Sequence, residues 1–393
     1  MNKQVIKEYC IGCGLCQSEG IAKLNRNEKG FYYPSKEDIN RETESFFEKV
    51  CPSSGQQLKF FDTTSIWGKR EQIYAAYATE KDVRRKASSG GVLTALCSYL
   101  LREKKVDGII HVGVADGSPF ETKCYCSTTV EEVVSRCGSR YAISAPLLEL
   151  STLVEEGRRY AFIGKPCDII ALRGFMQNEN KYSNIIYLLS FFCAGLPSNE
   201  ANRLLLKRLG CEEEKCSRLT YRGEGWPGCA TAEDEEGKKH TMSYSESWGG
   251  ILGRDVNPYC KFCMDGIGEM ADISCGDGWY LNNAMQPDFS EREGRNVVFT
   301  RSPEGEALFR EAVRLGYICA ELWEKEEHIK YIQKYQHTRR STMRVKLLAF
   351  RLLGREVPNY SKYVVKCYEK DASVKQRIKI FAGTVKRILQ RRV

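Results

Sequence analysis

Cys10, Cys13 and Cys16 stand in the spacing C-x2-C-x2-C. That spacing folds three thiolates around one corner of a cubane cluster, and Gly12 and Gly14 let the backbone wrap closely. In two-cluster bacterial ferredoxins a Cys-Pro pair follows three residues after the third cysteine, but position 20 here is Gly20 and the only Cys-Pro is Cys51-Pro52. The economical reading is one [4Fe-4S] cluster held by Cys10, Cys13, Cys16 and Cys51. Zinc is the alternative metal, although zinc modules use two separated cysteine pairs and not three equally spaced cysteines plus Cys-Pro.

Four further cysteines are candidates by position. Cys167 lies in GKPCDIIALR just after an expected strand that ends near Gly164, Cys193 follows a buried strand in FFCAG, and Cys260-x2-Cys263 supplies a pair in a glycine-flanked loop. Thiols at the carboxyl ends of strands sit on the edge where open α/β sheets bind ligands. Spacing alone leaves two readings open, a second cluster or small buried apolar residues, which is the common fate of a free cysteine. The other ten of the 18 cysteines read as bystanders. Cys97, Cys319 and Cys367 are expected as core filler. Cys124 and Cys126 are expected on opposite faces of a strand, while Cys137, Cys211, Cys216, Cys229 and Cys275 are ligands without support.

A cofactor phosphate has three candidate cradles. Ser88-Ser89-Gly90-Gly91 immediately precedes an amphipathic helical pattern at Val92, with Lys86 close by, so hydroxyls, free amides and the helix dipole would converge on an anion. The competing reading is an ordinary helix cap. GSRYAIS offers Ser139, Arg140, Tyr141 and Ser144 on a second glycine-led loop, and YRGEGWPG adds Arg222 and Trp226, suited to phosphate pairing and ring stacking. No G-x-G-x-x-G follows a strand and no G-x4-G-K-[ST] is present, so neither a nicotinamide Rossmann site nor nucleotide hydrolysis is supported. The four histidines, His111, His240, His328 and His337, include no i, i+4 pair, which argues against a hydrolytic metal centre. No side chain stands out as a proton donor.

The elements that must position these groups follow an α/β pattern. Strands are expected at Gln72–Ala78, Gly108–Val114, Arg159–Ile163, Ile185–Phe192 and Asn296–Thr300, and helices at Val92–Arg102, Pro146–Glu156, Asp168–Met176 and Glu304–Leu315. That alternation predicts an α/β fold with a mixed, partly parallel sheet. The expected division is a ferredoxin-like [4Fe-4S] segment at 1–60, two parts of a flavin-binding core at 61–157 and 158–336, and a basic helical tail at 337–393. Residues 219–283, rich in glycine and aromatics, are expected to be largely irregular and functional. Neither a fixed-period repeat nor a low-complexity tract is present.

At 393 residues, 42% hydrophobic and 28% charged, the chain is globular and large enough for two or three domains. No apolar stretch opens it, and the longest nearly apolar run, Ile185 to Leu196, falls short of the ~20 residues needed to cross a bilayer. A cytoplasmic protein follows as the expectation. The net charge of +9 belongs to the tail: His337 to Val393 carries 16 Lys/Arg against 3 Asp/Glu, leaving 44 against 48 elsewhere. A mildly acidic body argues against nucleic acid as partner. Val374, Ile378, Phe381, Val385, Ile388 and Leu389 form one stripe of a basic amphipathic helix, with Lys375, Arg377, Lys379, Lys386, Arg387, Arg391 and Arg392 mostly around it. Such a helix packs on a body or makes a peripheral membrane contact.

Taken in order, C-x2-C-x2-C…CP, KASSGGVLTAL, GSRYAIS, GKPCDIIALR, FFCAG, YRGEGWPG, CKFC and DISCGDGW resemble the coenzyme F-420 hydrogenase/dehydrogenase beta-subunit family, related to 7-hydroxymethyl chlorophyll a reductase, from Cys10 to roughly Gly316. The resemblance implies FAD and one or two [4Fe-4S] clusters on an α/β core. It makes Cys167, Cys193, Cys260 and Cys263 the second cluster's ligands, and the Ser88–Gly91 and Gly138–Ser144 loops FAD contacts. The function implied is an FAD and iron–sulfur oxidoreductase passing electrons between a one-electron donor such as ferredoxin, the two clusters, FAD and a two-electron acceptor. The alternative is an electron-transfer subunit that serves a partner enzyme without a small substrate of its own. The family name comes from enzymes that act with a deazaflavin, whereas similar bacterial proteins sit in surface-polysaccharide contexts, so a link to that metabolism is part of the expectation and the substrate is not inherited.

Overall fold

The computed structural model of the chain describes residues 3–56 and 60–390. An eight-stranded sheet forms its centre. We number its strands β1 (Gln72–Ala78), β2 (Gly108–Val114), β3 (Thr122–Ser127), β4 (Tyr160–Gly164), β5 (Ile185–Phe191), β6 (Ile273–Asp277), β7 (Asn296–Thr300) and β8 (Ile318–Leu322). They lie in the order β8-β1-β7-β6-β5-β4-β2-β3. β6, β5, β4 and β2 run parallel, while β7 pairs antiparallel with both β6 and β1, and β3 and β8 close the two edges antiparallel. The expected mixed, partly parallel sheet is thus present.

Both faces are covered, as the period-2 alternation of buried strand residues requires. One face carries Ile109, Ala161, Leu189 and Val298 against Leu96 and Leu100 of the helix Val92–Arg102 and Leu308 and Phe309 of the helix Pro303–Arg314. The opposite face carries Ile110, Tyr160, Phe162 and Leu188 against Ile169, Leu172 and Phe175 of the helix Pro166–Asn178. Cys124 and Cys126 both pack into this second cluster. They therefore share a face, contrary to expectation, because residues i and i+2 of a strand point the same way.

Two expected elements differ. Pro146–Glu156 contains only the single turn Leu150–Leu153, because its start is drawn onto the first cysteine loop, where Leu147 N–H donates to Cys13 O at 2.9 Å. Within 219–283 the chain completes a three-stranded antiparallel sheet, Cys216–Thr220, Cys229–Asp234 and Lys239–Ser243, and then supplies β6. Alanines alternate inward at Ala230 and Ala232 of its middle strand, too small to mark a strand by hydrophobicity.

The C-terminal stretch is helical at Lys334–Ser341, Met343–Leu352, Lys362–Glu369 and Val374–Leu389. Its first helix spans the boundary expected at 337 and buries Arg339 and Arg340. On the last helix Thr384 and Ile388 are buried, Phe381 and Val385 half-buried, and Val374, Ile378 and Leu389 exposed, so only part of the expected stripe meets the body. Arg391 and Arg392 lie outside the described residues. Among the described residues no helix is long and apolar enough to cross a membrane.

One buried histidine makes the fold acid-sensitive. His111 on β2 sits with Nε2 2.8 Å from Ser127 Oγ, and burial, reinforced by the Arg136 guanidinium, lowers its pKa to about 4. An unfolded histidine titrates near ~6.5. Between those values the unfolded chain binds a proton the folded chain refuses, so stability falls as pH drops through that window, by about 3 kcal/mol at pH 4. His111→Gln is expected to flatten the acid limb of a denaturation series, and an unchanged limb would refute this origin.

Candidate functional site

The first four thiols converge where the N-terminal segment meets the core. Cys10, Cys13 and Cys16 lie on the loop after the helix Lys3–Tyr9 and in the short helix Leu15–Ser18, and Cys51 follows the helix Glu44–Val50. Gly14 has φ +97°, and a Cβ there would lie 2.5 Å from the Leu148 amide nitrogen, so this wrap requires glycine. Burial pushes the Cys10 thiol well above its ordinary range, helped by Cys51, Cys16 and Cys13, which places all four within mutual electrostatic reach. The same causes, burial first and then Cys51, push Cys16 up to about 12. Gly12 N–H donates to Cys10 Sγ at 3.3 Å.

The second four line one cavity at the carboxyl edge of the parallel strands. Cys167 is the second residue of the helix after β4, Cys193 stands two residues beyond β5, and Cys260 and Cys263 come from the irregular segment before β6. Burial, then Cys193 and Cys263, pushes Cys260 up to about 12, and Leu196 N–H donates to its sulfur at 3.4 Å. Lys165 Nζ, in the same cavity, contacts Asp168 Oδ2 at 2.8 Å and Ser144 Oγ at 2.9 Å.

The two sets are joined directly. Asn257 Nδ2 donates to Cys10 O at 2.9 Å, Tyr259 Oη donates to Pro52 O at 3.2 Å, and Ile11 of the first loop lines the second cavity. Sequence reasoning missed Asn257 and Tyr259, although they flank Cys260 in NPYCKFC. It also missed Gln336 and Arg339, which reach the second set from the C-terminal stretch.

The donor chemistry fits iron–sulfur centres. Among the described residues no three His, Cys, Asp or Glu side chains close on a point that would hold a single ion. Each set offers four thiols, Cys10 and Cys16 buried and the other six partly buried, approached by amide N–H groups, and an all-thiolate donor set is the one iron–sulfur clusters take. Of the five buried side-chain atoms without a hydrogen-bond partner among the described residues, Asp168 Oδ1, Asp265 Oδ2 and Arg339 Nε belong to residues beside these thiols.

The expected FAD residues share the same sheet edge, but few are free. Ser139 N–H donates to Ser88 Oγ at 2.6 Å, joining two of the loops, and Gly223 packs against the Lys86 carbonyl, bringing in the third. The end of the helix at Val92 is already capped, since Asn296 Oδ1 accepts the Val92 N–H at 3.3 Å, and Ala78 N–H donates to Gly90 O at 2.7 Å. Ser89 Oγ donates to Arg295 O at 2.9 Å, and Gly91, at φ +76°, is the residue before the helix. Arg140 donates to the Leu219 and Pro119 carbonyls, leaving Nε unpartnered, and Tyr141 packs on Tyr221 and Trp248. Arg222 forms a bidentate pair with Asp277 at 2.9 and 3.0 Å. Trp226 is 1% exposed and stacks on Trp279 at 4.5 Å. Arg222 and Trp226 thus hold the loop to the end of β6, and Ser144 serves Lys165 beyond Gly164. The groups present do not form a ready flavin cradle.

These features define an α/β redox protein carrying two adjacent four-thiol sites, the second on the binding edge of its sheet. Residues 73–151 and 157–326 match, respectively, the N-terminal and C-terminal parts of the family described as coenzyme F420 hydrogenase/dehydrogenase, beta subunit. The chain belongs to this family. It is 24% identical over 305 residues to the coenzyme F420 hydrogenase subunit beta of Methanococcus voltae, covering 74% of this chain and 99% of that one. To the coenzyme F420-dependent sulfite reductase of Methanocaldococcus jannaschii it is 26% identical over 338 residues, 80% of this chain and 47% of the other. A chain of the F420-reducing [NiFe] hydrogenase complex from Methanosarcina barkeri has the same fold, with a TM-score of 0.58 at 21% identity over 75% of this chain and 97% of that chain.

Proposed function

We propose that the chain is the electron-carrying subunit of an oxidoreductase, with one [4Fe-4S] cluster on Cys10, Cys13, Cys16 and Cys51 and a second on Cys167, Cys193, Cys260 and Cys263. The observation that carries this is the joining of two four-thiol sets by Asn257 and Tyr259. Such clusters, when bound, supply one-electron transfer at potentials set by charge, hydrogen bonding and exposure. The chain's own residues hold the thiols, exclude water and keep the two sites adjacent.

The relatives named as F420-dependent hydrogenase, formate dehydrogenase and sulfite reductase proteins support service to a partner subunit and a two-electron carrier of deazaflavin type. FAD and a ferredoxin-type donor extend the reading through the family likeness. The flavin part rests on exposed Lys86, the Ser88 to Ser139 contact and the unpartnered Arg140 Nε, and it requires the Asn296 cap to yield. Anaerobic purification followed by iron, acid-labile sulfide and flavin analysis is the test. About eight irons per chain, with matching sulfide, are expected. Zinc in place of iron would overturn the reading, and flavin absent from an iron-loaded protein would remove its FAD part.

A further inference from the structure

The family match ends at residue 326, yet the helix Lys334–Ser341 beyond it completes the second cysteine site. Gln336 Nε2 and Arg339 Nη2 each donate to Cys193 O at 2.9 Å, Arg339 Nη1 lies 3.5 Å from Cys260 O, and Gln336 Oε1 accepts from Arg339 Nη2 at 2.7 Å. Arg339 is 5% exposed, and a Cβ on Gly266 would fall on its guanidinium, so the side chain is fitted to this slot.

The charges do not balance without a further group. Lys165 is matched by Asp168, and Asp265, which also lines the cavity, shares the Arg340 and Arg301 guanidiniums with Glu269. No carboxylate pairs with Arg339 among the described residues; the groups that favour its charge are Cys263, Tyr335, Cys193 and Cys260. Burying an ion costs several kcal/mol unless an opposite charge compensates. A cubane on four thiolates is a buried anion, and Nε of Arg339 has no other partner.

We propose that Arg339 is the counter-charge of the second iron–sulfur centre and, with Gln336, a positioning residue that raises that centre's reduction potential above the value its thiolates alone would give. A positive charge and donors on the ligand carbonyls favour the reduced, more negative form. The inference rests on the two-centre reading above.

The test is potentiometric titration of the full chain, followed by electron paramagnetic resonance, with iron counted in each sample. Arg339→Gln is expected to keep the iron and shift one couple to lower potential while the other stays in place. Arg339→Lys, which keeps the charge, should restore most of the shift. Gln336→Leu, which keeps Arg339 itself, should move the same couple the same way by less, and it carries the test if Arg339→Gln does not fold. Two unmoved couples in these variants, or equal movement of both, would overturn the assignment. About four irons in the wild-type protein, unchanged by Cys263→Ala, would remove the two-centre reading and this proposal with it; about eight irons with unmoved couples would remove this proposal alone.

Discussion

Cys263→Ala is expected to lower bound iron by about half, from roughly eight to roughly four atoms per chain, and Cys51→Ala to remove the other half. Each substitution takes one thiol from a set whose members stand within electrostatic reach of one another. The Cys51 variant should also loosen the N-terminal segment. Its own core is small, consisting of Ile6, Cys16, Ala22, Ile39 and Phe47, and small units depend heavily on a metal staple. Iron analysis, the visible absorbance of the clusters and limited proteolysis within residues 3–56 are the measurements. Iron at the wild-type level in either variant would sink the assignment of that set.

Arg340→Met is expected to destabilise the chain by about 3–5 kcal/mol, the usual cost of leaving one member of a buried ion pair alone. Arg340 Nη2 lies 2.7 Å from Glu269 Oε2, with side-chain exposures of 0% and 2%. Glu269 is a junction, since its Oε1 accepts the Asp62 N–H at 2.6 Å while Arg340 Nη1 donates to Met264 O at 2.9 Å. Losing the guanidinium would strand a carboxylate directly after the Cys260 to Cys263 loop. The double variant Arg340→Met, Glu269→Leu should recover most of the loss, because well-packed apolar groups replace buried pairs at little cost. Anaerobic urea denaturation of the single and double variants tests this, and equal losses in both would show that packing and not charge is responsible.

The parts of the fold visible in the sequence are those written in local periodicity. The helix Val92–Arg102 and the strands from Gln72 and Gly108 lie where their patterns put them, and Cys167 and Cys193 occupy the sheet edge that a strand followed by a helix dictates. The rest depends on partners distant in the chain. Nothing near Asn296 shows that its strand enters the sheet antiparallel, or that its amide caps the helix at Val92, 204 residues earlier. Pro146–Glu156 carries a helical pattern that contact with the first cysteine loop overrides. Arg339 reads as one basic residue among many in a charged tail, and only packing against Gly266 and Cys193 distinguishes it, across a separation of 146 residues from the latter.

Synthesis proceeds from the amino end, and the helix that covers the second cysteine set is drawn from the last sixth of the chain. When Cys263 leaves the ribosome the four thiols of that set already exist, but Gln336, Arg339 and the helices behind them do not. Closing the cavity waits for some seventy further residues, which include β6, β7 and β8 of the sheet itself, to be translated and docked. At ~5–20 residues per second that interval is several seconds. The helix Lys334–Ser341 is thereby the last wall of the second cysteine cavity to be made.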